Sequence, residues 1–571
     1  MNSSNADTEN LDLLIIGAGP VGLTAAVEAK RLGLSVRIIE RKRERSSHDS
    51  RALIVHPRVM ELLETIQDGA LTKEIEKTAF DLQGITIYLK KRCLRWLQKK
   101  DGGDDDSFVR LNIDVKQTIW GDTVYRNEYF LPQYKTERIL EDAFNADGGQ
   151  VEYGISLENL TQDGNMVTST LRNANGNSTV ALTSKWVLGA DGGRSKTRNL
   201  VGIKLNRIPS NLYFIVADVI FKCQPPLLDQ PSGKGGHIFP SRKGVVALLP
   251  LPVENSYRLI AKAPEGVTNA DQVNLNEEFF EKILLDRTAR KFKVELGPWG
   301  TIFHVTHGSS DFYRNRNVML AGDASHVHSP VGGQGMNLGI QDANNLLWKL
   351  AWAKRILEAA SDEEEQAQAD ACVDVILDSY HSERHVLGQK LIRSVEIATK
   401  LLNSKNLFVQ YVRDIYIQIA LRTGQAKNNF RKMGQLEMAY SPDSSPIIIE
   451  SKINKRCIVS PGQRVPNIRL EDGSRLHSHI DRVRHTWVFL NSAESSSTPA
   501  LEASGAKVVS LIPSKIGDQV SVPKISKRAF VAQQVLLVRP DQFVAAVKDT
   551  QEQILEQLKK TGIDNNALLM M

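Results

Sequence analysis

The nearly unbroken apolar run from Leu11 to Ile16 is followed at once by glycines at 17, 19 and 22, and this junction restricts the fold more than any other stretch of the chain. A parallel strand covered on both faces reads as a continuous apolar run, because neither side of its pleat meets water. Val21 to Leu32 then carries helical spacing. In such a unit the first glycine allows a tight turn, the second lets backbone approach a pyrophosphate, and the third lets the helix pack close to the strand. N-terminal N–H groups of the helix are left aimed at the phosphates. A second strand, Ser35 to Ile39, ends at Glu40, followed by Arg41. A carboxylate there accepts hydrogen bonds from an adenosine ribose and repels a 2′-phosphate. Gly17, Gly19, Gly22, Glu40 and Arg41 therefore predict a pocket for FAD or NAD rather than NADP.

Two later segments narrow the choice. Lys185 to Gly189 reads as a short strand running into Ala190-Asp191-Gly192-Gly193-Arg194-Ser195. By itself this aspartate-glycine pair is an ordinary turn. Asn317 to Ala321 is another apolar strand, followed by Gly322-Asp323, Pro330, the stretch Gly332-Gly333-Gln334-Gly335-Met336-Asn337, and a helix containing Asp342 and Trp348. With all three segments in this order, the chain resembles the class A FAD-dependent aromatic monooxygenases of the phenol hydroxylase and para-hydroxybenzoate hydroxylase superfamily. The likeness spans roughly the first 400 residues. It implies that FAD is held tightly and noncovalently, with the glycine turn on its ADP half and Asp191 and Gly192 serving both FAD and the nicotinamide cofactor. It further implies that Gly322 and Asp323 hold the ribityl chain, while Pro330 and the backbone of Gly333, Gly335, Met336 and Asn337 lie against the isoalloxazine ring. A physical reason supports the last placement: reduced flavin is an anion, and a helix beginning near Asn337 would point N–H groups and its positive dipole end at the charge. Arg51 resembles the arginine that faces FAD in the superfamily, and Gln133, beside Pro132, resembles its cofactor-contacting glutamine.

At 571 residues the chain is too long for one core. The predicted fold class is α/β: a discontinuous Rossmann-like FAD-binding domain (1–90, 131–205 and 300–360), an inserted β-sheet substrate domain (91–130 and 206–299), and a helical region (361–440). The resemblance adds a thioredoxin-like C-terminal domain (450–571). Asn211 to Phe221, Gly244 to Pro250 and Ser256 to Ala261 read as antiparallel strands flooring a substrate cavity. Asp101 to Asp106 reads as an exposed loop, and the region around Asp362 to Glu365 as an acidic linker between helices. The tail contains Cys457 but no Cys-x-x-Cys, so disulfide exchange is not its chemistry.

Composition excludes several classes. The net charge of +6 is a small difference between 72 basic and 66 acidic residues, and the basic runs lack the aromatic interleaving of a nucleic-acid platform. Neither nucleic acid nor a membrane is an expected partner; a small aromatic molecule is, and a homodimer is possible in this superfamily. Cys93, Cys223, Cys372 and Cys457 are too widely separated for metal-ligand or paired spacing, and the polar first ten residues are unlike a signal region. A cytoplasmic location is the expectation. His326 and His328, at i and i+2 without neighbouring cysteine or carboxylate clusters, predict hydrogen bonding and no metal site.

The resemblance also implies a cycle in which NADPH or NADH visits transiently to reduce FAD, and molecular oxygen adds at flavin carbon 4a as a hydroperoxide that hydroxylates the aromatic ring. No second glycine fingerprint is present for a nicotinamide domain. Tyr213, His237, Tyr257 and Arg258 fall in the predicted sheet and are candidates for activating a phenol, though such residues in strands more often pack in cores. Leu53 stands roughly where phenol hydroxylase carries an acidic residue, which points away from simple phenol and towards a larger, polyketide-derived substrate. Alternatives are Baeyer–Villiger, epoxidising or dearomatising oxygenation, or a flavin-binding protein without turnover.

Overall fold

The computed structural model describes residues 11–45, 51–82, 84–90, 108–114, 122–125, 128–174, 178–222, 235–423, 425–450, 459–470, 473–490, 507–511, 534–548 and 551–561. The expected Asp101–Asp106 loop and Cys93, Cys223 and Cys457 lie outside them.

The glycine-turn unit sits at the centre of an eight-stranded sheet. Strand Leu11–Ile16 runs parallel to Val36–Glu40 on one side and to Thr179–Gly189 on the other. Beyond these, Val318–Leu320 and Val151–Tyr153 extend the parallel core. Every residue of the first strand is buried, and its two faces feed different apolar clusters, Leu13 and Ile15 on one side and Leu14 and Ile16 on the other, with Leu11 at the strand's start reaching the second cluster. The neighbour of Leu11–Ile16 on one side follows it directly in the chain, whereas its other neighbour is more than a hundred residues away. Such a reversal of strand order opens the crevice in which parallel sheets bind ligands.

A seven-stranded sheet forms the second layer, in the order Val294–His304, Tyr213–Phe221, Ser256–Lys262, Val246–Pro250, Gly235–Phe239, Gly84–Lys90 and Phe108–Asp114. Two expected domain boundaries move. Strand Gly84–Lys90 belongs to this sheet rather than to the FAD-binding part, and Val294–His304 carries the sheet past residue 299. One face packs Ile215, Val219, Leu248 and Leu259 against Phe280, Ile283 and Leu284 of helix Glu277–Thr288. The opposite face presents Ile85, Ile87, Ile238, Leu249 and Ile260 towards Leu53, Ile54 and Phe130.

Helix Gln334–Ala359 is buried over most of its length. The break before the next helix falls at 360–362, and Glu363 to Glu365 form the first turn of helix Glu363–Leu402, capped by Asp362, whose side chain accepts from the Glu365 N–H. The expected acidic linker is thus a helix start, where acidic side chains favour the positive dipole end. Towards the C-terminus, four strands form a mixed sheet in the order Lys507–Leu511, Thr486–Leu490, Gln534–Val538, Val544–Lys548. Among the described residues, no helix is long and apolar enough to cross a membrane.

Candidate cofactor and substrate site

The three glycine-bearing segments converge at the carboxyl ends of the parallel strands, and backbone bonds join them: the Gly17 N–H donates to Ile39 O (2.8 Å), Ala190 N to Ile16 O (2.9 Å) and Ala321 N to Gly189 O (3.0 Å). Their glycines are of two kinds. A Cβ on Gly22 would lie 1.9 Å from Gly17 O, and one on Gly17, at φ +105°, would lie 2.6 Å from Ala190 O, so both are required by packing. A Cβ on Gly19 or Gly192 would meet nothing within 4 Å. Those two face open space, as expected where a pyrophosphate and ribityl chain approach backbone.

Helix Pro20–Arg31 starts with no side-chain cap, leaving first-turn N–H groups for an anion. Glu40 turns towards this mouth, accepting from Ala18 N (3.0 Å) and Lys42 N (3.0 Å), with Arg41 exposed beside it. Asp191 is anchored differently: its carboxylate accepts from Ser195 Oγ, Thr197 N and Thr197 Oγ1, fixing the start of helix Lys196–Leu200. Arg198, on that helix, donates to Ala324 O (2.9 Å) and Gly193 O (3.2 Å), tying the second segment to the third.

The third segment is locked from beneath. Asp342 is buried, accepts from Gly322 N (3.0 Å) and His326 Nε2 (2.7 Å), and pairs with Arg384 (2.7 Å). Burial pushes this carboxyl up, but Arg384 and His326 outweigh it and hold the group ionised. Val21 of the first helix fills the space beside Gly322 and Gly339, where added Cβ atoms would lie 2.9 and 2.6 Å from Val21 Cγ2. Asp323 projects into the open cleft although protein surrounds it; desolvation raises its pKa, opposed by His326 and by Arg51. Arg51 and Asp323 are therefore within electrostatic reach of each other.

The ring-facing turn differs in one detail from the expectation. Helix Gln334–Ala359 begins three residues earlier than Asn337, because Gly332 and Gly333 adopt φ +79° and +64° and complete the turn. No side chain caps it. Pro330, Gly333, Gly335 and Met336 thus surround a free helix N-terminus suited to a developing anion. The Asn337 side chain is buried and spent on the fold, accepting from His56 N (2.8 Å) and donating to Ile54 O (2.7 Å) and Gly333 O (2.9 Å). Gln133 likewise holds backbone, its Oε1 accepting from Ala52 N (3.1 Å) next to Arg51.

Of the phenol-activating candidates, His237 and Tyr257 meet, their ring centroids 6.2 Å apart, but they do so on the face remote from Arg258. His237 accepts from or donates to Tyr88 OH (3.0 Å) on the face of the seven-stranded sheet that packs on helix Glu277–Thr288, and burial pushes it down to about 4. Tyr257 and Tyr213 lie on that same face, away from the cofactor segments. Strand alternation sends Arg258 to the other side, where it is fully buried, forks onto Asp218 (2.8 and 3.0 Å), stacks over Trp299 and donates to Ala52 O (3.2 Å). Arg258 thus braces the Arg51–Ala52 segment. Sequence reasoning placed Asp342 in the third segment without giving it a role and gave none to Arg198 or Gly339; a lone carboxylate inside the apolar stretch of a buried helix was the available signal for Asp342.

His326 is committed to Asp342 and His328 Nδ1 to Ser329 O (2.8 Å), and no metal-holding cluster is present among the described residues. The residues present fit FAD: two open glycines, two uncapped helix starts and a carboxylate in the cleft.

Comparison with known proteins agrees. Residues 10–395 match the family model described as FAD binding domain. The chain is 28% identical to the uncharacterized aromatic compound monooxygenase YhjG of Bacillus subtilis, over 97% of each chain. It is 30% identical to 6-methylpretetramide 4-monooxygenase of Streptomyces rimosus, covering 70% of this chain and 64% of that one. Among solved structures, aklavinone-11 hydroxylase in ternary complex with FAD and aklavinone superposes with a TM-score of 0.72 at 21% identity, covering 98% and 99% of the two chains.

Proposed function

The chain belongs to the FAD-binding-domain family of class A aromatic flavin monooxygenases, and from that premise we propose that it hydroxylates a polycyclic or otherwise extended phenolic substrate, such as a polyketide-derived intermediate, at the expense of NAD(P)H and O2. The observation that supports this reading is the apolar wall beside Gly333: Ile85, Ile238, Leu249 and Ile260 of the sheet pack with Leu53, Ile54, Met433 and Leu436, and Ile54 lies against Gly333, where an added Cβ would be 2.8 Å from its Cδ1. A surface of that kind suits fused rings better than a single small phenol. The substrates printed in the names of similar proteins, 6-methylpretetramide and aklavinone, support the same class.

Bound FAD would supply two-electron reduction by the nicotinamide and activation of oxygen, with one oxygen atom entering the ring and the other leaving as water. This chain's own residues orient and exclude. The helix start at Gln334 stabilises negative charge without a basic side chain, Arg51 and Asp323 line the cleft, and the apolar wall keeps water from the reacting atoms. The purified yellow protein should consume NADPH or NADH faster when given a phenolic panel, and mass spectrometry should find product heavier by one oxygen. Product structure separates hydroxylation from Baeyer–Villiger insertion, epoxidation and dearomatisation. Retained flavin with no substrate-stimulated oxidation across the panel would overturn the reading in favour of a non-catalytic flavin protein.

A further inference from the structure

Helix Leu407–Arg422 is amphipathic in the inverted sense. Its protein-facing positions are polar: Gln410, Arg413, Asp414 and Gln418 are 8, 7, 4 and 4% exposed. Its solvent-facing positions are apolar: Phe408, Val412, Tyr416 and Ile419 are 72, 49, 56 and 54% exposed, with Leu407 beside them at 56%. These four stand at i, i+4, i+8 and i+11, a single stripe. The inward polar side is built, not accidental. Arg413 pairs with Asp414 (2.8 Å) and donates to Leu401 O and Leu402 O, and Gln410 donates to Ser404 O (2.7 Å). At the end of the preceding helix, the exposed residues Lys390, Arg393, Ile397, Lys400 and Leu401 share one face by the same spacing. A helix normally turns its apolar stripe to the core, so a large exposed one marks a contact.

Charge decides what makes that contact. From Lys390 to Lys432 the chain carries nine lysines and arginines against two acids, Glu396 and Asp414, a formal +7 where the whole chain has +6; Arg413 is turned inward onto Asp414 and Arg431 is paired with Asp122 and Glu437, so the other seven cations make the region basic. The near-neutral balance of the chain thus hides one basic region. Two copies meeting stripe to stripe would oppose their basic rims. A bilayer of anionic lipids offers apolar depth to Phe408, Val412, Tyr416 and Ile419 and negative headgroups to Lys390, Arg393, Lys400, Lys405 and Arg422. The acids in the way are few. Glu396 pairs with Lys400 and Glu265 with Lys405 in exposed bridges, which are weak and which headgroup phosphates can replace.

We propose that this face seats the protein on an anionic lipid surface, lying on it without crossing it. The contact needs no flavin chemistry and stands independently of the proposed reaction. The full-length FAD-loaded protein should co-sediment with vesicles of phosphatidylglycerol and phosphatidylcholine, release at 0.5 M salt, and bind at least about tenfold more weakly to pure phosphatidylcholine. Phe408→Ser with Ile419→Ser should weaken binding about tenfold or more, and Arg393→Gln with Lys400→Gln should weaken it with a shallower salt dependence. Both variants should keep wild-type flavin content and melting temperature, because these side chains face solvent. Failure to bind anionic vesicles, or binding undiminished in both folded variants, overturns the proposal. So does a wild-type dimer by light scattering that Phe408→Ser with Ile419→Ser dissociates, which would assign the stripe to a second copy.

Discussion

Glu128 is a fully buried carboxyl with no partner on another residue for either oxygen, its own backbone N–H being the one group that opposes its desolvation. It directly precedes the strand Tyr129–Phe130, which pairs with Ile54–Val55 and Phe80–Asp81. Alternation puts Glu128 on the side of Phe130, which packs with Leu53, Leu82 and Leu436, while Tyr129 turns outward to donate to Glu76 (2.9 Å). Desolvation is the dominant influence and pushes Glu128 from 4.5 up to about 7. Between those values the folded protein keeps a proton that the unfolded chain has released. The group therefore favours folding below pH 4.5, and that contribution is lost as pH rises through 7. A gap of roughly 2.5 pH units corresponds to roughly 3 kcal/mol. Glu128→Gln copies the protonated form and cannot ionise. In urea unfolding of the apoprotein it should match the wild type near pH 4, exceed it by about 1 kcal/mol at pH 5 and by roughly 3 kcal/mol at pH 8. Infrared difference spectra should show a protonated carboxyl at pH 6 in the wild type that the variant lacks. Parallel stability curves for the two proteins from pH 5 to 8, with no such band, would refute the argument and mean that the carboxylate is solvated or paired.

The two kinds of glycine predict opposite phenotypes. Gly19→Ala should leave the melting temperature unchanged while lowering FAD affinity in a fluorescence titration, whereas Gly22→Ala, whose Cβ would sit 1.9 Å from Gly17 O, should fail to fold or purify colourless and destabilised. Gly339→Val drives its side chain into Val21 and the Gly322 Cα and should lose flavin, read as the ratio of flavin to protein absorbance. Arg539→Leu leaves Glu383 and Asp541 short of their shared cation and should cost about 3–5 kcal/mol in chemical unfolding, with reduced flavin retention.

The cofactor cradle was legible in the sequence because its demands fall on local backbone. Gly17 and Gly22 are forced by contacts a few residues away or one strand over, and the apolar runs before 17, 190 and 322 declare buried parallel strands. The substrate wall was less legible. Strand alternation alone would send Tyr257 and Arg258 opposite ways, but only the position of helix Glu277–Thr288 decides which face is the outer one, and that is a long-range fact. The same holds for Gly84–Lys90, whose place in the seven-stranded sheet depends on pairing with Gly235–Phe239, about 150 residues on. Asn337 and Gln133 were singled out by pattern as cofactor contacts, and their side chains hold Ile54 and Ala52 backbone, a role that spacing cannot distinguish from ligand contact.

The helix that starts at the flavin-facing turn carries Asp342, Asn345 and Lys349 at i, i+3 and i+7, a polar stripe on an otherwise buried helix. Asp342 meets Arg384; Lys349 and Asn345 meet Glu383, and Asn345 also reaches Asp541. Arg539, from the C-terminal sheet, forks onto Glu383 (2.7 and 3.0 Å), lies over the Trp348 and Tyr440 rings and, with Lys349, holds Glu383 well below the usual carboxylate range despite its burial. Apolar packing tolerates small rotations of a helix about its axis, but here a rotation would strand several desolvated charges at once, which is far more expensive. That rotation also sets where the first-turn N–H groups of Gln334 onward point and whether Gly339 stays against Val21. The strand ending at Val538 and the turn after it, nearly two hundred residues from the third glycine-bearing segment, therefore help to fix the rotation of this helix and the direction of its first-turn N–H groups.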